Sequence, residues 1–298
     1  MRKTVSVLLS LILTAYLAVP SFAEEKSINT EFSFNEYEQI EALQSMSEDE
    51  LNEMNVTTAE VNAMSEQFDE ALMERAVLPY EELKEMGYSD DSINILRKFA
   101  SGEELSSEEI QAVSATCTGS IFCVVISKRG AYFYYEWQWD DYPIMQATDS
   151  AVVAWRAYGS DGKPVNVSVT NTSNEITYYV QDEFAFMDRG DEISTTNFNV
   201  YAIKFPVSVN YYPKPGFIEN AYAKKGQMFV QIEVDDAITR DISYIKVSGL
   251  YCHVYVSLFQ PSITVGENLD ISITGATIND KIAGAKVKIG IDGSFEDI

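Results

Sequence analysis

Between positions 132 and 142 the chain reads "YFYYEWQWDDY", the densest gathering in it of aromatic and acidic side chains. On a β-strand successive side chains point to opposite faces, so Tyr135, Trp137 and Trp139 share one face and Tyr134, Glu136, Gln138 and Asp140 the other. The indole face reads first as a core anchor packed near Trp155, because buried aromatics dominate such cores. If aromatic rings also reach solvent, Tyr132, Tyr134, Trp137, Trp139 and Tyr142 are the candidate binding residues, a flat platform for sugar rings or for a partner's surface.

Glycoside hydrolysis needs only two suitably separated carboxyl groups. Glu136, Asp140, Asp141 and Asp149 stand close together, but among 46 acidic residues such closeness requires no function, and no residue is assigned a catalytic role. Oxygen-rich turns at Asp140 and Asp141, at Asp161, or at Asp235 and Asp236 would suit calcium in an extracellular sandwich, but their ligand spacing is not diagnostic. The one histidine, His253, lies in a strand-like run beside Cys252 with no second histidine near it, which speaks against a zinc site and for a hydrogen-bonded strand residue. No phosphate-binding glycine loop and no nucleophile elbow occurs. The reading therefore assigns no metal and no cofactor.

Cys117, Cys123 and Cys252 are the disulfide candidates and allow at most one internal bridge. The Thr-Gly-Ser turn residues inside "CTGSIFC" favour Cys117 with Cys123. Cys123 facing Cys252 in a core is the alternative, and three buried thiols are a third.

The elements that must position these residues fall into unlike parts. Residues 1–23 have the charge, apolar run and small-residue ending of a secretory signal peptide, from Arg2 and Lys3 to Ala23. No other stretch reaches the length of a membrane span, so the expectation is a secreted bacterial protein, extracellular or associated with the cell envelope. Residues 24–116 carry a net charge of −19 and residues 117–298 a net charge of −8. Such acidity repels nucleic acid and anionic lipid headgroups, so neither is expected as a partner.

The acidic part writes one phrase twice, at 47–64 and 79–96: Glu50, Leu51, Glu53, Met54 and Asn62 return as Glu82, Leu83, Glu85, Met86 and Asn94. Ser47 with Glu50, Thr57 with Glu60 and Ser106 with Glu109 fit capping boxes, and Pro79 suits a helix start. Asn55 and Gly87 fall where a left-handed residue would close a helix. Each copy is thus a short helix, a tight turn and a second helix, with Leu51, Met54, Val61, Met64 and their counterparts as the apolar edge. A further helix is expected around "NEYEQIEAL". "EMGYSDDSINIL" resembles the first turn of a ubiquitin-associated domain, which would imply ubiquitin binding. The leader and the Met54-Asn55-Val56 of the other copy favour plain helix closure instead.

From Thr118 onward the pattern has period two, with about ten strand candidates separated by turns such as Gly159-Ser160-Asp161-Gly162. The expected fold class is therefore α+β by segregation: a short acidic helical N-terminal region, then an all-β antiparallel sandwich over 117–298. The long run "SYIKVSGLYCHVYVSLF" is expected to bend or change sheets at Gly249. The expected function is non-enzymatic binding of a glycan, an envelope component or a protein. A toxin-like effector with 24–116 as a removable pro-segment, and a carboxylate-dependent carbohydrate-active hydrolase, are the alternatives.

Overall fold

A computed structural model describes residues 30–53, 56–181, 183–193, 199–214, 216–235, 240–253, 262–265, 271–274, 284–292 and 294–297. Residues 1–23, read above as a signal peptide, and Met54 with Asn55, lie outside the described residues. The chain opens with β1 (Thr30–Asn35), followed by α1 (Glu36–Gln44), α2 (Glu48–Glu53), α3 (Thr58–Ala76), α4 (Tyr80–Glu85), α5 (Asp90–Ala100) and α6 (Ser107–Gln111). Next come β2 (Thr116–Ile126), β3 (Gly130–Trp139), β4 (Thr148–Tyr158), β5 (Pro164–Val165), β6 (Val167–Val180), β7 (Glu183–Asp188), β8 (Asp191–Glu192) and β9 (Val200–Pro206). The rest are β10 (Ser208–Tyr211), β11 (Glu219–Val234), β12 (Tyr244–Cys252), β13 (Ser262–Val265), β14 (Ile271–Thr274), β15 (Gly284–Gly290) and β16 (Phe295–Asp297).

The architecture is α+β with a sheet-dominated core. One antiparallel sheet runs β1-β2-β3-β11-β6-β7, with β10 on β11; a second runs β16-β15-β12-β4-β9-β8, with β5 on β4; β13 and β14 pair separately. One apolar cluster draws on both large sheets, with Tyr135, Trp137, Trp139 and Met228 from the first and Val152, Trp155, Ile203 and Val247 from the second. Strand β3 alternates as its sequence requires: Ala131, Phe133, Tyr135, Trp137 and Trp139 are buried, while the residues between them are partly or fully exposed.

The helices start where their caps are written. The Thr57 and Ser106 hydroxyls accept from the Glu60 and Glu109 amides, and both carboxylates return the bond. Ser47 and Glu50 exchange the same pair of bonds. Helix α4 begins one residue after Pro79, which serves as its cap, and Gly87 takes the left-handed φ of 92° beyond its end. Leu51, Val61, Met64, Leu83, Met86, Ile93 and Leu96 are all buried in one cluster, so the repeated phrase does write an apolar edge twice. The second helix of the first copy runs on for 19 residues to Ala76, burying Phe68 and Leu72 as well.

Strand β1 has no counterpart among the expected elements. It precedes the helices and pairs along its whole length with β2, Phe32 opposite Gly119 and Phe34 opposite Cys117. The first large sheet thus takes a strand from the N-terminal side of residue 116. Cys117 and Cys123 stand on one continuous strand, where a rise of about 3.3 Å per residue parts their Cα atoms by about 20 Å. A disulfide reaches about 7 Å at most, so the favoured Cys117 to Cys123 bridge is excluded, and Cys117 holds a buried free thiol.

Gly249 marks no bend: β12 pairs with β4 and with β15 through it without a register shift. Its small size has a different cause, since a Cβ there would lie 2.6 Å from the Tyr135 ring of the other large sheet. Gly249→Ala is therefore expected to destabilise the fold by about 1 to 3 kcal/mol through overpacking, read as a lower urea midpoint at unchanged slope. An unchanged midpoint would show that Tyr135 moves aside freely.

Candidate functional site

Two places gather polar and aromatic groups, and they lie on opposite sides of β3. Inside, His253 follows the last residue of β12 and is fully buried between two carboxylates. Its Nδ1 lies 2.9 Å from Asp149 Oδ2 on β4, and its Nε2 lies 3.0 Å from Glu36 Oε1 at the start of α1. The Tyr251 hydroxyl donates to Asp149 and accepts from the Trp139 indole N–H at 3.0 Å. The Trp139 ring meets the imidazole edge-on at 5.0 Å between centroids.

Glu36 is held in this unusual place by backbone. Asn35 caps α1 by accepting from the Tyr37 amide, and its side-chain amide donates to the Ser114 carbonyl. The carboxylate of the next residue then accepts from the amides of Ala115 at 3.2 Å, Ile144 at 2.9 Å and Met145 at 3.0 Å. Beside it, buried Arg75 of α3 donates to the Tyr88 hydroxyl at 2.8 Å and to the Pro143 carbonyl at 3.1 Å. Burial pushes the Tyr88 phenol up to about 12, against the pull of the Arg75 cation.

Burial alone would push the imidazole of His253 down. Asp149 first, and then Glu36, outweigh that and raise it to about 10. Burial and the adjacent Asp149 also raise the Tyr251 phenol well above its ordinary range, so it stays a donor. His253 is thus a hydrogen-bonded structural cation, with Nδ1 and Nε2 both donating to carboxylate oxygens.

Outside, the solvent face of the first sheet carries four cross-strand rows. Thr118, Gln138, Lys225 and Thr177 form one row, and Ser120, Glu136, Gln227 and Glu175 the next. Phe122, Tyr134, Phe229 and Ser173 follow in register, and beyond them Tyr132, Gln231 and Asn171. Phe122 stacks on Tyr134 at 5.1 Å, Tyr134 meets Phe229 at 5.0 Å, and Phe229 meets Tyr132 at 6.1 Å. Tyr132, Tyr134 and Phe229 are half-buried. Two open hollows of about 430 and 700 Å³ lie over these rows and share Glu175 and Gln227. Asp188 and Arg189 line the second.

The sequence-derived candidates therefore divide. Tyr132 and Tyr134 belong to the outer row. Trp137 and Trp139 are buried in the apolar cluster that both large sheets share, and Tyr142 is buried in the cluster of the helices, so none of these three is part of an exposed platform. The structure adds Phe122, Phe229, Gln227 and Glu175. Their alternation is readable in "GSIFCVVIS", "QMFVQIEV" and, for Glu175, "EITYYVQ", but the pairing of β3 with a strand some 90 residues on is not. The carboxylates of the hydrolase reading are parted: Glu136 is outside with Ser120, Asp140 accepts from the Thr116 amide at 2.7 Å, and Asp149 is in the core.

The raised His253 stabilises the fold most fully below the ordinary histidine pKa of 6.5, and that contribution is lost as pH rises through about 10. Tm is expected to fall steadily from pH 7 to 10. His253→Gln, which leaves two buried carboxylates facing a neutral amide, is expected to cost about 3 to 5 kcal/mol and to flatten that dependence. A variant with the same Tm profile as the parent would remove the charge from the account.

No family model matches the chain, and no curated protein matches it. Among solved structures it is similar to one described as "AvmM Catalyzes Macrocyclization in Alchivemycin A Biosynthesis", at 9% identity and a TM-score of 0.23, over 48% of this chain and 76% of that one. A likeness of that size carries no information on what this chain does.

Proposed function

We propose that the protein is an exported, non-enzymatic binding protein, that its two large sheets form a sandwich, and that the solvent face of the first sheet binds a glycan. The observation that carries this reading is the aromatic row Phe122, Tyr134 and Phe229, extended by Tyr132 of the next row, lying beside a row of Ser120, Glu136, Gln227 and Glu175. A pyranose ring is apolar on its C–H face and bristles with hydroxyls at its edge. Rings that pack on the first, next to amide and carboxylate groups that bond the second, suit it better than a surface of either kind alone. Four strands at about 4.8 Å spacing give the rows a width of about 14 Å, enough for a short oligosaccharide.

The export part of the proposal is supported by the leader-like pattern of residues 1–23. Residues 24–116 are taken as permanent, because removing them would strip β1 from the first sheet and Glu36 from His253.

Tyr134→Ala and Phe229→Ala are expected to weaken binding to the best ligand of a glycan array by about tenfold each, the equivalent of about 1.4 kcal/mol, while leaving Tm within a few degrees. An array with no bound glycan, or binding untouched by both changes, would sink the proposal. A cut introduced between Arg97 and Cys117 is expected to leave the two fragments associated on a native sizing column. Clean separation would restore the pro-segment reading.

A further inference from the structure

The glycan-binding face leaves unused a third hollow, at the opposite end of β11 from its pairing with Gly130. Here α4 meets the ends of β6 and β11, and a space of about 480 Å³ opens between them. Its apolar lining is Met86, Tyr142, Val180, Ile218 and Tyr222. Four carboxylates, those of Glu81, Glu82, Glu85 and Glu219, are set around it, and no lysine or arginine is among its lining residues. Of the nearby cations, Lys84 pairs with Asp90 at 3.2 Å, and Lys224 lies over the Tyr142 ring at 5.4 Å.

Two features separate this place from a chance patch of acid. Ile218 is 63% exposed and its neighbour Phe217 61%, so large apolar side chains stand in water at the edge of a concave apolar floor. Gln181, a residue with a side chain, is also held at a left-handed φ of 49°, and from there its amide donates to Glu85 at 2.7 Å. That bond joins the end of β6 to α4 across the hollow. The carboxylates are spread along two walls and do not form a metal-holding set.

We propose that this hollow binds a basic, apolar segment of a partner polypeptide. The occupant must offer apolar side chains to the floor and ammonium or guanidinium groups to the rim at once. A polyamine supplies the second without the first, and a neutral apolar peptide the first without the second. The surrounding field favours the same partner, since residues 24–116 bear a net charge of −19 and attract cationic chains from a distance.

The test is fluorescence anisotropy on the intact protein at physiological ionic strength, with a labelled peptide alternating lysine and leucine and a second alternating lysine and serine. The lysine and leucine peptide is expected to bind at least about tenfold more tightly than the other. Replacing Glu81, Glu82 and Glu219 together by Gln, or Ile218 alone by Ser, is expected to weaken it by about tenfold or more. The same loss of charge at Glu66, Glu70 and Glu74, exposed on α3, is expected to leave it unchanged, with Tm as the control for folding in every variant. Equal weakening by both triple variants, equal affinity for the two peptides, or no binding would each overturn the proposal.

Discussion

A histidine cation held between two buried carboxylates joins the two halves of this chain. Glu36 stands at the first helix, Asp149 near the start of the second sheet's β4, and His253 at the end of β12, so three segments far apart in sequence meet at one imidazole. A buried ion pair is poor evidence for net stability, because desolvation offsets much of the attraction. What it does impose is arrangement. Each carboxylate, once buried, must find its donors, and Glu36 finds three backbone amides and one imidazole only if α1, the 144–145 segment and β12 occupy these positions. The packing of Ile144 and Met145 among the helices follows from the same bonds.

That constraint separates what is readable in the sequence from what is not. Helix starts at Ser47, Thr57 and Ser106 depend on bonds between residues three apart, and the buried positions Leu51, Val61, Leu83 and Ile93 on a period within one helix. Both are local and therefore legible. Strand β1 carries a local signal too, the alternation of Phe32 and Phe34, but six residues ahead of a strongly acidic helix make a faint one. Glu36 carries none, being one glutamate among many, and only its contacts across 79 to 217 residues make it different. The alternation of β3 predicts which residues turn inward, whereas the register that assembles Phe122, Tyr134 and Phe229 arises between strands. The bridge expected between Cys117 and Cys123 fails because "Thr-Gly-Ser" is turn chemistry, overridden when β1 and β3 pair on either side of that segment.

The same period that buries Tyr135, Trp137 and Trp139 sets the spacing of the outer rows. A slip of one residue in the pairing of β3 with β11 would turn Glu136 and Gln138 into the core and turn out the indoles, whose partners lie in the other sheet. Trp137 stacks on Phe205 at 5.4 Å, and Trp139 bonds Tyr251, which bonds Asp149. The register of the exposed face is thus fixed from within, through contacts that the face itself does not make. A surface built this way tolerates substitution at Tyr134 or Phe229 without losing the positions of its neighbours. Side chains on the solvent side of the sheet can therefore change apart from the fold, and on the other side, where the indoles and His253 lie, they cannot.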